Sequence, residues 1–129
     1  MTITELVEKS HANAVDKGFY GDDGKQERNF GELIALVHSE LSESLEAHRE
    51  GHDCKVDPLY YVSPNDWDNK ELWKTSFEND IKDTTADELS DAVIRIADMA
   101  GYLGINIEAH SKAKMAYNAT REKLHGKRY

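Results

Sequence analysis

Two pairs of acidic residues lie at helical spacing in two separate segments of this chain. Glu40 and Glu43 form one pair, and Glu88 and Asp91 form the other. Side chains three residues apart point to the same side of an α-helix. If the two helices pack face to face, four carboxylates converge on one small volume and repel one another. The spacing therefore predicts two packed helices around a shared acidic cluster.

The first pair interrupts an apolar stripe. Leu33, Leu36, Glu40, Glu43 and Ala47 follow steps of three and four, which places them along one side of a helix. The neighbouring stripe is predicted to be core and contains Ile34, Val37, Leu41 and Leu45. An ionised carboxylate left unpaired among apolar side chains is unfavourable by several kcal/mol. Glu40 is therefore the residue that departs from an ordinary amphipathic pattern.

The second pair borders another apolar stripe, and Glu88 has two interpretations. The predicted buried seam consists of Leu89, Val93, Ile96, Ala100 and Leu103, with Glu88, Asp91, Arg95 and Asp98 along the adjoining flank. Glu88 either completes a capping box with Thr85 as the N-cap, or it is a metal ligand. Asp91 lies a full turn inside the helix, where aspartate is a mediocre helix former.

A hard divalent cation would relieve the repulsion within this cluster. Mg²⁺ and Mn²⁺ take oxygen ligands from carboxylates, waters and substrate phosphates. An isolated pair of glutamates usually belongs to a solvated face, but two pairs that both border core stripes favour a metal. The sequence thus predicts a site for Mg²⁺, or Mn²⁺, formed by Glu40, Glu43, Glu88 and Asp91.

The remaining pattern predicts an all-α protein with a four-helix core and one domain over residues 1–129. Thr2 and Glu5 form a capping box for the first helix, and Gly51 ends a second helix that starts near Asn29. A short helix is predicted over roughly 66–80, a third core helix over 86–103, and a fourth from Asn106 to about residue 124. Residues 51–84 form an inserted central segment.

Composition narrows the class of partner. The formal net charge is −9, from 25 acidic and 16 basic residues. This charge argues against a nucleic acid or an anionic membrane as partner. Cys54 is the single cysteine, no apolar run is long enough for a membrane span, and the amino terminus lacks a signal-peptide core. We therefore expect a cytoplasmic protein.

The last predicted helix carries a basic face. Lys114, Asn118 and Arg121 are spaced i, i+4 and i+7. All three are hydrogen-bond donors suited to phosphate oxygens. The alternative is an ordinary basic surface near a helix C-terminus, where cations are favoured in any case.

Together these residues resemble the MazG-like all-α nucleoside triphosphate pyrophosphohydrolases, which include dimeric dUTPases and dCTP pyrophosphatases. The mark of that family is E-x-x-E followed in a later helix by E-x-x-D, here Glu40, Glu43, Glu88 and Asp91. The flanking segments 38–43, 87–98 and 114–121 are also similar, as are 17–19 and 125–127. The resemblance is weakest over 51–84.

The resemblance implies hydrolysis of a nucleoside triphosphate to the monophosphate and pyrophosphate, for nucleotide pool sanitation or balance. It implies that the four acidic residues hold Mg²⁺, and we assign Glu43 as the carboxylate that accepts the proton of the attacking water. Lys114, Asn118 and Arg121 would bind phosphate oxygens, and Asp98 would be a peripheral ligand or would orient Lys114 or Arg95. The family also implies a homodimer or a dimer of dimers.

Other interpretations stay open at this point. The aromatic residues Trp67, Trp73 and Phe19 are candidates for stacking on the base, but buried aromatic side chains more often belong to the core. Residues 51–84 are either a flap over the nucleotide or an extension of an oligomer interface. A di-iron bundle needs Glu-x-x-His on two helices, and Glu8 and His11 form one such pair. A further alternative is a non-catalytic helical regulatory or interaction protein with a metal-binding acidic site.

Overall fold

The computed structural model describes residues 1–126, apart from the side chains of Leu124 and His125. Over this range the regular secondary structure is helical, without a β-strand. The prediction of an all-α protein is confirmed. The family-like tail segment that ends at Lys127 lies partly outside the described residues.

Five α-helices and three short 3₁₀ helices occur in the described range. The α-helices are α1 (Ile3–Asp16), α2 (Phe30–Glu50), α3 (Lys70–Asp80), α4 (Thr85–Leu103) and α5 (Ile107–Ala119). The 3₁₀ helices span Pro58–Tyr61, Pro64–Asp66 and Lys123–Gly126.

Caps set the ends of α1 and α2 where the sequence predicts them. The Thr2 hydroxyl accepts a hydrogen bond from the Glu5 amide at 3.1 Å, and the Glu5 carboxylate accepts one from the Thr2 amide at 2.6 Å. The Asn29 side chain accepts from the Glu32 amide at 3.1 Å to open α2. Gly51 ends α2 with φ of 73°, a left-handed conformation that glycine adopts without a steric penalty.

Two predicted boundaries are wrong. The helix predicted over 66–80 begins only at Lys70, because the Asn69 side chain caps it through the amides of Glu71 and Leu72. The last helix ends at Ala119 instead of near residue 124, and the hydroxyl of Thr120 then donates to the Tyr117 carbonyl at 2.7 Å. A side chain that turns back onto the backbone ends this helix without glycine or proline.

The chain forms two compact units, which we describe separately. Of the described residues, one contains 1–27 and 96–126, and the other contains 28–95. Helix α4 contributes its first part to the second unit and its last part to the first unit.

The unit that holds α1 is organised around Asp98. The buried Tyr20 donates its hydroxyl to both carboxylate oxygens of Asp98 at 3.0 Å, and His11 Nδ1 lies 2.8 Å from Oδ1. Gly101 permits this packing, since a Cβ there would lie 2.7 Å from the Cβ of His11. The glycine lets the end of α4 approach α1 closely.

The unit that holds α2 buries small and acidic side chains on the facing sides of its helices. The Ser44 hydroxyl of α2 donates to the Thr85 carbonyl of α4 at 3.0 Å, which joins the two helices. Its buried apolar residues are Leu33, Val37, Ala47, Ile81 and Ala92.

Most of the apolar stripe that the sequence assigned to the core is instead exposed on this chain. Leu41, Leu45, Leu89 and Val93 have exposed fractions between 44% and 53%. Ile96 and Leu103 are also exposed, while Val37 and Ala100 are buried as predicted. Helical periodicity locates an apolar stripe, but it does not show which of two neighbouring stripes packs within the same chain. Here the adjacent stripe packs, and it carries Glu40.

Candidate metal centre

Three carboxylates meet where α2 faces α4. Glu40, Glu43 and Glu88 each offer one oxygen, and these three oxygens lie within 4.8 Å of one another. Glu40 and Glu88 are only 6% and 5% exposed, whereas Glu43 is open to solvent. The structure thus brings together three of the four residues that the sequence proposed as metal ligands.

Asp91, the fourth, lies outside this close group. It is exposed on α4, one turn before Arg95. Partial burial of its carboxylate, followed by the negative charges of Asp87 and Glu40, raises its pKa. Asp91 therefore shares the electrostatic field of the cluster without its carboxylate belonging to the three.

Glu88 is buried without the partner that a capping box would give it. The cap of α4 is formed one residue earlier than proposed, since the Thr84 hydroxyl accepts from the Asp87 amide at 3.3 Å. The hydroxyl of Thr85 lies 3.3 Å from the carbonyl oxygen of His52. The capping-box interpretation of Thr85 and Glu88 is wrong, and Glu88 Oε2 has no hydrogen-bond partner among the described residues.

The surroundings of Glu88 disfavour its charge. Burial, followed by the negative charges of Glu43 and Glu40, raises the pKa of Glu88 to about 7. A buried carboxylate oxygen without a partner is uncommon in folded proteins and calls for a specific explanation. A bound cation provides one, because it would both neutralise the charge and coordinate the free oxygen.

Glu40, in contrast, has a counter-ion in the protein. Its Oε1 accepts a hydrogen bond from Nε of Arg95 on α4. The sequence places Arg95 on the flank of the acidic residues, but nothing in the spacing identifies Glu40 as its partner. This contact is the main feature of the site that sequence reasoning missed.

The donor set fits a hard divalent cation. All three ligand atoms are carboxylate oxygens, which suits Mg²⁺ or Mn²⁺ better than a softer metal. Mg²⁺ in proteins is usually held by a few carboxylates and keeps waters or phosphates in its other positions. The unpartnered Oε2 of Glu88 supports the fit independently of the spacing.

The predicted phosphate-binding residues are arranged differently from a single helical face. Arg121 lies beyond the end of α5, so the i+7 relation to Lys114 does not hold. Both cations nevertheless lie near one aromatic ring, with Lys114 Nζ 4.9 Å and Arg121 Cζ 5.9 Å from the centroid of Tyr117. Oδ1 of Asn118 is buried without a hydrogen-bond partner among the described residues.

Asp98 has structural partners. Its carboxylate accepts hydrogen bonds from Tyr20 and contacts His11, whereas the sequence suggested a peripheral metal ligand or a residue that orients Lys114 or Arg95. No signal in the sequence identifies His11 or Tyr20 as these partners, because both lie far from Asp98 along the chain.

The tryptophans proposed for base stacking help to hold the central segment together. The indole N–H of Trp67 donates to the Tyr60 carbonyl at 3.2 Å, and that of Trp73 donates to the Tyr61 carbonyl at 3.3 Å. Trp67 also stacks on Tyr61 at 5.7 Å between ring centroids. Both tryptophans are half-buried in this local cluster, whereas Phe19, in the other unit, is exposed.

Comparison with protein-family models, with curated proteins and with solved structures finds no match to this chain. The resemblance to MazG-like enzymes therefore depends on the residues quoted above.

None of the helices within residues 1–126 combines the length and the apolar character needed to cross a bilayer.

Proposed function

We propose that this protein is a Mg²⁺-dependent nucleoside triphosphate pyrophosphohydrolase of the MazG-like type. Its reaction would be hydrolysis of a nucleoside triphosphate at the bridge between the α- and β-phosphates, with one water consumed and a monophosphate and pyrophosphate released. The observation that supports this most is the group of Glu40, Glu43 and Glu88 with a buried, unpartnered oxygen on Glu88.

The exposure of each acidic residue indicates its role in the proposed reaction. Glu40, Glu43, Glu88 and Asp91 would hold Mg²⁺, which when bound neutralises phosphate charge and lowers the pKa of an attacking water. Glu43 is exposed and is the member of the close group that water reaches directly. We therefore assign Glu43 to accept the proton of that water.

Phosphate contacts are proposed for Lys114, Asn118 and Arg121. Lys114 and Arg121 both lie over or beside the ring of Tyr117, which gathers two positive charges in one place. A guanidinium binds phosphate oxygens through its planar fork, and an ammonium binds them as a point charge. The buried Oδ1 of Asn118 is an acceptor, so the amide nitrogen of this residue would be its contact to phosphate.

We also propose that the protein is a homo-oligomer. Leu41 and Leu45 lie one turn apart on α2, and Leu89 and Val93 lie one turn apart on α4; all four are half-exposed on the single chain. Exposed apolar stripes of this kind commonly mark protein–protein contacts. Leu45→Glu should lower the molar mass measured by light scattering after size exclusion, whereas Met115→Glu, at an exposed position on α5, should not.

The test of the reaction is product analysis. The purified protein is incubated with Mg²⁺ and a panel of normal and damaged deoxynucleoside triphosphates, and the products are separated by ion exchange. We expect monophosphate and pyrophosphate in equal amounts, and strongly reduced turnover with Glu88→Gln. Orthophosphate as the first product would contradict the proposal.

The matched control is Glu46→Gln. Glu46 is an exposed glutamate of α2 that pairs with Arg49, so this variant removes the same charge outside the close group. Binding of Mg²⁺ without hydrolysis of any triphosphate would instead favour the non-catalytic regulatory or interaction protein.

A further inference from the structure

Arg95 is the cation that contacts the acidic cluster directly. Its Nε donates a hydrogen bond to Oε1 of Glu40, which is buried. The two residues come from different helices, so this contact also links α4 to α2. A buried carboxylate needs such a counter-charge to stay ionised.

A divalent cation and the guanidinium of Arg95 would compete for the same carboxylate. Glu40 offers an oxygen to the close group with Glu43 and Glu88 while it accepts the hydrogen bond from Arg95. Two cations beside one carboxylate repel each other, and this repulsion is strong where water is excluded. Binding of the metal therefore weakens the contact between Arg95 and Glu40.

The two partners differ in their freedom to move. The Glu40 side chain is 8% exposed, and that of Arg95 is 38% exposed. Arg95 can swing toward solvent, whereas Glu40 is fixed by packing. Arg95 lies on α4 one turn after Asp91, so its guanidinium remains near the cluster after it leaves Glu40.

We propose that Arg95 is an exchangeable counter-ion of Glu40. It neutralises Glu40 in the metal-free protein, leaves it when a divalent cation binds, and then donates to a phosphate oxygen of the substrate. The exchange at Glu40 depends only on the metal site, and the phosphate contact rests on the proposed function. Arg95 thereby couples arrival of the metal to recognition of the phosphates.

The exchange is tested by titration with Mn²⁺ alone, followed by electron paramagnetic resonance of the free ion. Arg95→Met keeps an apolar side chain of similar length and removes the charge. We expect it to bind Mn²⁺ roughly tenfold more tightly than the wild type, which is a typical size for coupling between two binding events. Equal or weaker binding would overturn the exchange.

Arg49→Met is the matched control. Arg49 is exposed on α2 and pairs with Glu46 at 3.6 Å, so its replacement removes the same charge away from the cluster, and Mn²⁺ affinity should match the wild type. If the wild type binds Mn²⁺ but Arg95→Met binds it no more tightly, Arg95 has no such role while the proposed function stands. If the wild type binds no Mn²⁺, the metal site and the proposed function both fail.

A measurement on the wild-type protein does not depend on whether a variant folds. The Nε–H resonance of Arg95, identified by its loss in Arg95→Lys, should exchange slowly with water in metal-free buffer because it is hydrogen-bonded to Glu40. Saturating Mg²⁺ should speed the exchange of this proton with water and shift the resonance. An unchanged signal would show that the contact between Arg95 and Glu40 survives metal binding. It would overturn the proposed exchange of counter-ions at Glu40.

The phosphate contact predicts an effect of opposite sign. Inorganic pyrophosphate is titrated calorimetrically in saturating Mg²⁺, with wild type, Arg95→Met and Arg49→Met. Arg95→Met should bind pyrophosphate roughly tenfold more weakly although it binds the metal more tightly. Unchanged pyrophosphate affinity in Arg95→Met would remove the phosphate contact.

Discussion

Helix α4 carries two carboxylates with opposite surroundings, Glu88 near its start and Asp98 near its end. Asp98 accepts hydrogen bonds from Tyr20 on both oxygens and contacts His11 at 2.8 Å. Glu88 is more deeply buried, yet its Oε2 has no partner among the described residues. One carboxylate is satisfied by its own unit of the protein, and the other is not satisfied by the described residues.

The difference shows how a carboxylate with structural partners can be told apart from a candidate metal ligand. Both residues lie on the same flank in sequence, and spacing treats them alike. The groups around them do not: donors surround Asp98, whereas Glu43, Glu40 and Asp91 place negative charge around Glu88. A buried acid among acids is unfavourable in an isolated chain, and a cation makes it favourable.

The comparison predicts its largest effect on activity. Glu88→Gln removes a proposed metal ligand at nearly constant volume, and loss of about 3–4 kcal/mol of transition-state stabilisation lowers kcat/KM roughly 10²- to 10³-fold. Asp98→Asn should retain activity where the protein remains folded, because Asp98 is not a metal ligand in the proposed site. Steady-state kinetics of pyrophosphate release measure both. Equal losses of kcat/KM in the two variants would show that Glu88 and Asp98 do not differ in their roles.

In metal-free buffer, Asp98→Asn and Glu88→Gln should change the free energy of unfolding in opposite directions. Asp98→Asn leaves the buried Tyr20 hydroxyl with a weaker acceptor and should lower the free energy of unfolding by about 1–3 kcal/mol. Glu88→Gln removes a charge from a repelling group and should raise that free energy at pH above 7. Urea unfolding in the presence of EDTA gives both values. A destabilised Glu88→Gln would contradict the repulsion at Glu88.

The pH dependence of stability in the metal-free protein has an equally definite sign. The pKa of Glu88 is raised from 4.5 to about 7, so the folded state holds this proton where the unfolded chain has lost it. The contribution of Glu88 to the stability of the metal-free protein therefore falls as pH rises from 4.5 to about 7. Thermal unfolding across this window should show the fall in wild type, less of it in Glu88→Gln, and a reversal on addition of Mg²⁺.

Glu108 provides the opposite case within the other unit. Hydrogen bonds from Lys112 and Thr4 lower the pKa of Glu108 to about 2. Its contribution to stability is present above pH 4.5 and is lost as pH falls toward 2. Glu108→Gln should be less stable than the wild type above pH 4.5, and this difference should shrink as the pH falls toward 2. A difference that appears only at acid pH would contradict the assignment.

Sequence reasoning succeeded where local chemistry decides the structure. Caps at Thr2 and Asn29 and the left-handed Gly51 fix helix ends through residues a few positions apart. Glu40 departs from the sequence pattern because a carboxylate within an apolar stripe is a local anomaly, and the structure buries it. The all-α class follows from the same helical periodicity.

Sequence reasoning failed where the answer depends on which surfaces meet. Leu41 and Leu89 belong to strong apolar stripes, yet both are exposed on the chain because the neighbouring stripe packs. The contact between Arg95 and Glu40 joins residues 55 positions apart, and no spacing rule predicts it. These features depend on tertiary packing, which periodicity alone does not specify.

The smallest predicted effect extends the comparison from carboxylates to two lysines of α5. Lys112 pairs with Glu108, one turn earlier, whereas Lys114 lies over the ring of Tyr117. A lysine engaged by a carboxylate is structural in the same sense as Asp98, while one held against an aromatic face keeps its charge available to an anion. Lys114→Met should therefore raise KM for the triphosphate several-fold, which corresponds to a loss of about 1 kcal/mol of binding free energy. Thermal stability should change little. Lys112→Met, which breaks an exposed pair worth little in stability, should leave KM unchanged. Equal KM values for the two variants would show that this face of α5 is an ordinary basic surface, and Arg121→Ala would then be expected to have no effect either.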